Sequence, residues 1–104
     1  MAQNSVLKIT VSQNGNEYTF GLIGRLDTLT SPDLEDKLDE VFEDAEKLIF
    51  DFSQLEYISS AGLRVLLGAA QEMDERGEMV IRNLTEPVQE VFDVTGFDDA
   101  FNIE

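Results

Sequence analysis

Two adjacent serines, Ser59 and Ser60, hold the chain's clearest chemical opportunity. They lie in the run Asp51-Phe52-Ser53-Gln54-Leu55-Glu56-Tyr57-Ile58-Ser59-Ser60-Ala61-Gly62-Leu63-Arg64. The run leaves an apolar segment, crosses a polar stretch and enters a helical pattern. Both serines therefore fall at a helix entrance. There, unpaired backbone N–H groups and the positive end of the helix dipole tolerate an anion. A phosphate on such a serine adds roughly −1.5 to −2 charge and three acceptor oxygens. Its effect would be felt at a contact surface, with the domain still folded. The plainer role for either serine is N-capping, and one residue can do both. Arg64 follows Ser60 by four residues, within helical reach of a phosphate there or of a nearby acid.

The rest of the inventory excludes most catalysis. The chain has no His and no Cys. It thus lacks the usual general base, the usual transition-metal ligands, disulfides and thiol nucleophiles. Neither a Ser-His-Asp nor a Cys-His-Asn arrangement can be built. Acidic candidates for a cation are Asp98-Asp99 and the first helix, without an Asp-x-Asp-x-Asp-Gly loop. Such charge runs are usually solvated faces. No Gly-rich phosphate loop is present. Seven Lys and Arg stand against 22 Asp and Glu, a net charge of −15 over 104 residues. Nucleic acid and anionic membrane surfaces are disfavoured partners, whereas a basic protein partner is compatible. The N-terminus shows no basic region followed by an apolar run, so no signal peptide and a cytoplasmic location are expected. No apolar run is long enough to span a bilayer.

Several elements must position these residues. Hydrophobic residues make up 42% of the chain, enough for one cored domain over residues 1–104. Val6 to Val11 and Tyr18 to Ile23 read as a hairpin about Asn14-Gly15, with Tyr18, Phe20 and Leu22 on one face. Gly24 to Thr30 is a loop. Ser31 caps a helix that Pro32 begins, and its stripe is Leu34, Leu38, Val41, Phe42 and Ala45. Lys47 to Phe52 is a strand buried on both faces. A loop from Ser53 to Ser59 leads to a second helix, about Ser60 to Arg76, stopped by Gly77. Tyr57 and Ile58 are expected to wedge between loop and core. Internal packing is expected at Gly68; Gly62 reads equally as packing or as contact surface. Met79 to Ile81 is a strand, Thr85 caps a short helix ending at Thr95-Gly96, and Phe101 to Ile103 is a last short strand. The order predicts an α/β fold: a mixed sheet of four to five strands with about three helices mainly on one face.

The central run resembles the signature of STAS domains, the sulfate-transporter and anti-sigma-factor-antagonist family. In that family a strand ends in Asp-hydrophobe-Ser, followed by an aromatic or aliphatic segment and a small Ser-containing turn before Gly-Leu. Gly24-Arg25-Leu26-Asp27 is similar to the family's Gly-x-Leu-Asp. Glu78-Met79-Val80 is similar to its fourth strand, and Val88 to Phe92 with Thr95-Gly96-Phe97 to its closing helix. Four such pieces in order cover nearly the whole chain. No transporter segment or catalytic domain accompanies them, so the free-standing anti-sigma factor antagonists are the nearest subgroup.

That resemblance implies a protein that is not an enzyme and needs no cofactor or metal. Unmodified, it would bind an anti-sigma factor serine kinase and release a sigma factor. Phosphorylation would end that binding, and a protein phosphatase would restore it. Aligned on Gly62-Leu63, the family's modified Ser falls on Ser60, with Ser59 the second choice. Ser59 stands where the family often has Asp, and Ala61 where it has Ser or Thr. The implied partner-binding residues are Asp27, Ser59, Ala61, Gly62, Leu63 and Arg64. Asp27 otherwise reads as a turn acid or local cap, and Asp51 as a strand end or a further recognition residue. The alternative is a non-switching STAS scaffold, or an accessory subunit of a signalling assembly or lipid transporter.

Overall fold

The computed structural model describes residues 6–104, so the part of the N-terminal reading that falls on residues 1–5 lies outside it. Strands β1 (Leu7–Asn14) and β2 (Glu17–Leu26) form the expected hairpin. Its loop is Gly15-Asn16, one residue later than expected, and positive φ falls on Gly15 alone (+63°). A Gly-first loop of this kind matches the twist of paired strands. Helix α1 (Ser31–Asp39) follows, then β3 (Lys47–Ile58), α2 (Ser60–Asp74), β4 (Glu78–Arg82) and α3 (Glu86–Thr95). A 3-10 turn at Phe97–Ala100 ends the helical part. The sheet order is β1-β2-β3-β4, antiparallel between β1 and β2 and parallel thereafter. The last predicted strand is reduced to one bridge, Ile81 with Ile103.

One core holds the fold. Alternation puts Tyr18, Phe20 and Leu22 of β2 beside Leu48, Phe50 and Phe52 of β3. Phe50 packs against Phe20 and Phe52 with ring centroids 5.8 and 5.9 Å away. Leu34 and Leu38 of α1, Leu63, Leu66, Ala69 and Met73 of α2, and Val88 and Phe92 of α3 close the same cluster. Burying each large side chain contributes about 1.5–3 kcal/mol. Ile49 and Val80 pair on the opposite face of the sheet, so β3 is buried on both faces as its composition implies.

Four local expectations are corrected. First, β3 runs on to Ile58; the segment from Ser53 is strand rather than loop. Two bulges in its pairing with β2 space the buried residues three apart, as Phe52, Leu55 and Ile58. Alternation is lost, and with it the usual strand signal. Second, α1 stops at Asp39, and Val41 to Asp44 fold as turns. Glu40, Glu43 and Asp44 at that end oppose the helix dipole. Third, Ser31 is not the cap: Thr30 precedes the helix, and Ser31 is its first residue. Fourth, Gly68 is exposed, with open space where a Cβ would stand.

Gly77 is the tight position instead. A Cβ there would lie 1.9 Å from the Glu46 carbonyl oxygen, which is backbone and cannot swing away. Gly77→Ala is expected to lower unfolding stability by roughly 1–3 kcal/mol in urea melts. Gly68→Ala, in an open helical site, is expected to raise it by about 0.5–1 kcal/mol.

Candidate functional site at the head of helix α2

The carboxyl ends of β2 and β3 lie side by side, with Leu26 opposite Ile58. In open parallel sheets this end is where loops gather and ligands dock. Here it is joined by a backbone bond, Ser59 N–H to the Leu26 carbonyl at 2.9 Å. The bond brings the turn after β2 against the entrance of α2.

The two serines divide the roles that the sequence left open. Ser59 is half-buried and extended, and its hydroxyl accepts from the Gly62 N–H at 3.3 Å. Its carbonyl accepts from Leu63 N–H at 2.9 Å. Ser59 is therefore the N-cap. Ser60 is the first helical residue and is exposed. Its hydroxyl makes no hydrogen bond among the described residues. The N–H groups of Ser60 and Ala61 belong to the helix's first turn, where intrahelical acceptors are missing.

The other named residues sort by depth. Gly62 is buried, and a Cβ on it would meet Leu26 Cγ at 2.8 Å and Ile58 Cγ1 at 3.0 Å. Leu63 is 2% exposed and belongs to the core. Burial of these two positions seats the helix on the ends of β2 and β3. Ala61 is half-buried and Arg64 exposed. Both line a groove of about 230 Å³ with Thr28, Ser31, Pro32 and Glu35 of the α1 side. Arg64 forms no ion pair among the described residues.

Asp27 is a turn-builder. It is 8% exposed, and its Oδ1 accepts from the N–H groups of Leu29 (3.0 Å) and Thr30 (3.2 Å). Its own N–H donates to the Thr30 hydroxyl, which donates to the Arg25 carbonyl at 2.8 Å. Its carbonyl accepts from both the N–H and the hydroxyl of Ser31. Arg25 Nε stands 3.8 Å from Asp27 Oδ2. Asp51 is elsewhere: it lies seven residues before Ile58 on β3, roughly 20 Å back along the strand. Its Oδ1 accepts from Ser53 N–H (3.0 Å) and Asn83 Nδ2 (3.2 Å). The Ser53 N–H, against the opposing effect of burial, helps hold its carboxyl below the usual carboxylate range. Asp51 thus secures the first bulge of β3 rather than ending the strand.

Three surface residues, Arg25, Leu29 and Tyr57, carry no clear signal in the sequence. Tyr57 is not wedged inward: it is 37% exposed, and the Arg25 guanidinium lies 4.4 Å from its ring centroid. Leu29, in the Asp27 turn, is 66% exposed. The signal for Tyr57 and Arg25 was hidden by the bulge that makes them strand neighbours.

The unequal serines give a direct stability test. Ser59→Ala is expected to cost about 1 kcal/mol through the lost cap. Ser60→Ala is expected to stay within about 0.5 kcal/mol of the parent, as for exposed sites without partners. Chemical denaturation of both variants checks the assignment.

The same fold and segment order occur in known proteins. Residues 8–104 match the family model of the STAS domain. The chain is 29% identical over 98 residues to the anti-sigma-B factor antagonist of Bacillus subtilis, covering 93% of this chain and 90% of that protein. An anti-sigma factor antagonist from Mycobacterium paratuberculosis shares the fold with a TM-score of 0.87 at 20% identity, over 99% of this chain and 89% of that one. The anti-sigma factor antagonist SpoIIAA in its unphosphorylated form gives 0.81 at 19% identity, over 93% and 88% of the two chains. A bulged third strand, a capped second helix and a buried Gly-Leu after the serines are thus set in a whole-chain match, and the chain belongs to the STAS domain family.

Proposed function

We propose that this protein is an anti-sigma factor antagonist, gated by phosphorylation at Ser60. In the unmodified state it binds an anti-sigma factor serine kinase and so frees a sigma factor. The kinase phosphorylates Ser60, the complex separates, and a protein phosphatase resets the cycle. The protein acts by contact and is a substrate of the kinase rather than an enzyme. The name of the Bacillus subtilis relative supports the antagonist role. SpoIIAA, which is also known in a phosphorylated form, supports a phosphorylated state for the fold.

The observation that carries the reading is the exposure of Ser60 beside a serine already engaged as the cap. A kinase reaching the helix entrance meets a Ser60 hydroxyl that has no hydrogen bond among the described residues, and a Ser59 hydroxyl that is occupied. Phosphate on Ser60 would find the open N–H groups of the first turn, with Arg64 one turn further along. The fold tolerates the charge for that reason. The partner would not: an added charge of about −1.5 to −2 disrupts an acidic or apolar contact patch by repulsion and desolvation.

The contact surface follows from depth. Ser60, Ala61 and Arg64 face outward or into the groove, with Leu29, Tyr57 and Arg25 at the same end of the sheet. Leu29 and Tyr57 supply apolar area, and aromatic and Arg side chains often dominate binding energy. Asp27 acts here by shaping the turn, and Gly62 and Leu63 by seating the helix. No helix among the described residues is long and apolar enough to cross a membrane.

Ser60→Asp is expected to weaken binding to the anti-sigma factor kinase of the same cells by about tenfold or more, roughly 1.4 kcal/mol. Its unfolding midpoint should match the parent. Ser60→Ala should bind like the parent and accept no phosphate. Equal binding by Ser60→Asp and the parent, measured by calorimetry, would sink the switch.

A further inference from the structure

Strand β1 is the outermost strand of the sheet, and among the described residues nothing pairs with its outer edge. The Arg25 N–H donates to the Val6 carbonyl at 2.9 Å. In an antiparallel ladder this sets even-numbered residues of β1 toward β2 and odd-numbered ones outward. Leu7, Ile9, Val11 and Gln13 therefore direct their N–H and C=O groups to the open edge. The β1–β2 register runs unbroken from Leu7 to Asn14, with no bulge. The strand has no Pro, and its one Lys, Lys8, has its backbone bonded inward. Protein edges are usually blunted by such devices, and a long regular edge without them is a template for another strand.

What would occupy it follows from the wall above. Leu7 and Ile9 form one side of a groove whose other side is Asp33, Asp36 and Lys37 of α1 with Glu40 just past its end. Three carboxylates face one amine across half-buried apolar side chains. A second copy would bring another −15 to this edge and repel. We propose that the β1 edge takes an extended, cationic protein segment as an added strand. Its main chain pairs with Leu7, Ile9, Val11 and Gln13. Alternate Lys or Arg side chains lay their stems over Leu7 and Ile9 and their charges against Asp33, Asp36 and Glu40. This surface is separate from the head of α2 and does not rest on the Ser60 reading.

The test uses the full chain and an eight-residue peptide of alternating lysine and valine, followed by NMR amide exchange. The expected result is about tenfold or greater slowing at Leu7, Ile9, Val11 and Gln13, equivalent to roughly 1.4 kcal/mol of protection. A peptide N-methylated at every second residue, and one alternating glutamate and valine, should give no such protection. Val11→Pro removes an outward N–H without touching the ladder to β2 and should weaken binding. Asp36→Lys, on the exposed surface of α1, should weaken it without risk to the strand. Several results would overturn the proposal: protection elsewhere, binding indifferent to N-methylation and both variants, or no binding at all. Slowing of the same amides with protein concentration alone would also overturn it, by making a second copy the occupant.

Discussion

The arrangement at the head of α2 depends on one close approach. Gly62 sits where the first turn of the helix rests directly on Leu26 and Ile58, the last residues of two neighbouring parallel strands. Any side chain there would lift the helix off the sheet. With Gly62 seated, Leu63 enters the core, Ser59 is drawn into the cap, and Ser60 is left outside. The exposure of one serine and the engagement of its neighbour are two consequences of the same contact. The two bulges of β3 serve it too, since an unbroken register from Gly21 and Asp51 would set Glu56, two residues short of Ile58, beside Leu26.

The surroundings of that contact are built mainly from backbone bonds. The turn after β2 is closed by a buried Asp, a Thr and a Ser that bond one another's main chain. This makes a rigid platform next to the α2 entrance, joined to it through Leu26 and Ser59. The wider charge of the protein is strongly negative, yet Arg25 and Arg64 lie at this end. A phosphate here would enter a locally favourable setting on its own protein and alter what a partner meets. The acidic field elsewhere suits encounter with basic surfaces, as at the outer edge of β1.

Much of this was legible in the sequence where periodicity was clean. Tyr18, Phe20 and Leu22 alternated and formed the core face of β2. Leu63, Leu66 and Met73 kept the helical period and face inward on α2. The Ser59-Ser60 entrance and the Gly-Leu that follows it were readable as a helix start. Where the period broke, reading failed. Phe52, Leu55 and Ile58 at intervals of three matched neither strand nor helix, so the second half of β3 passed for a loop. Ser31-Pro32 carried a capping signal, but Asp27 and Thr30 had already organised that turn. Gly62 and Gly68 look alike in sequence; only their neighbours in space tell the packed glycine from the exposed one. Asp27's burial was likewise a property of the turn, with no local pattern to announce it.

The central claim is that geometry selects Ser60 over Ser59. The most direct measurement is phosphopeptide mapping across Glu56 to Arg64, by mass spectrometry on protein recovered from its native cells. The account expects phosphate on Ser60, with Ser59 unmodified. Phosphate on Ser59, or an unmodified segment under every growth condition, would contradict it.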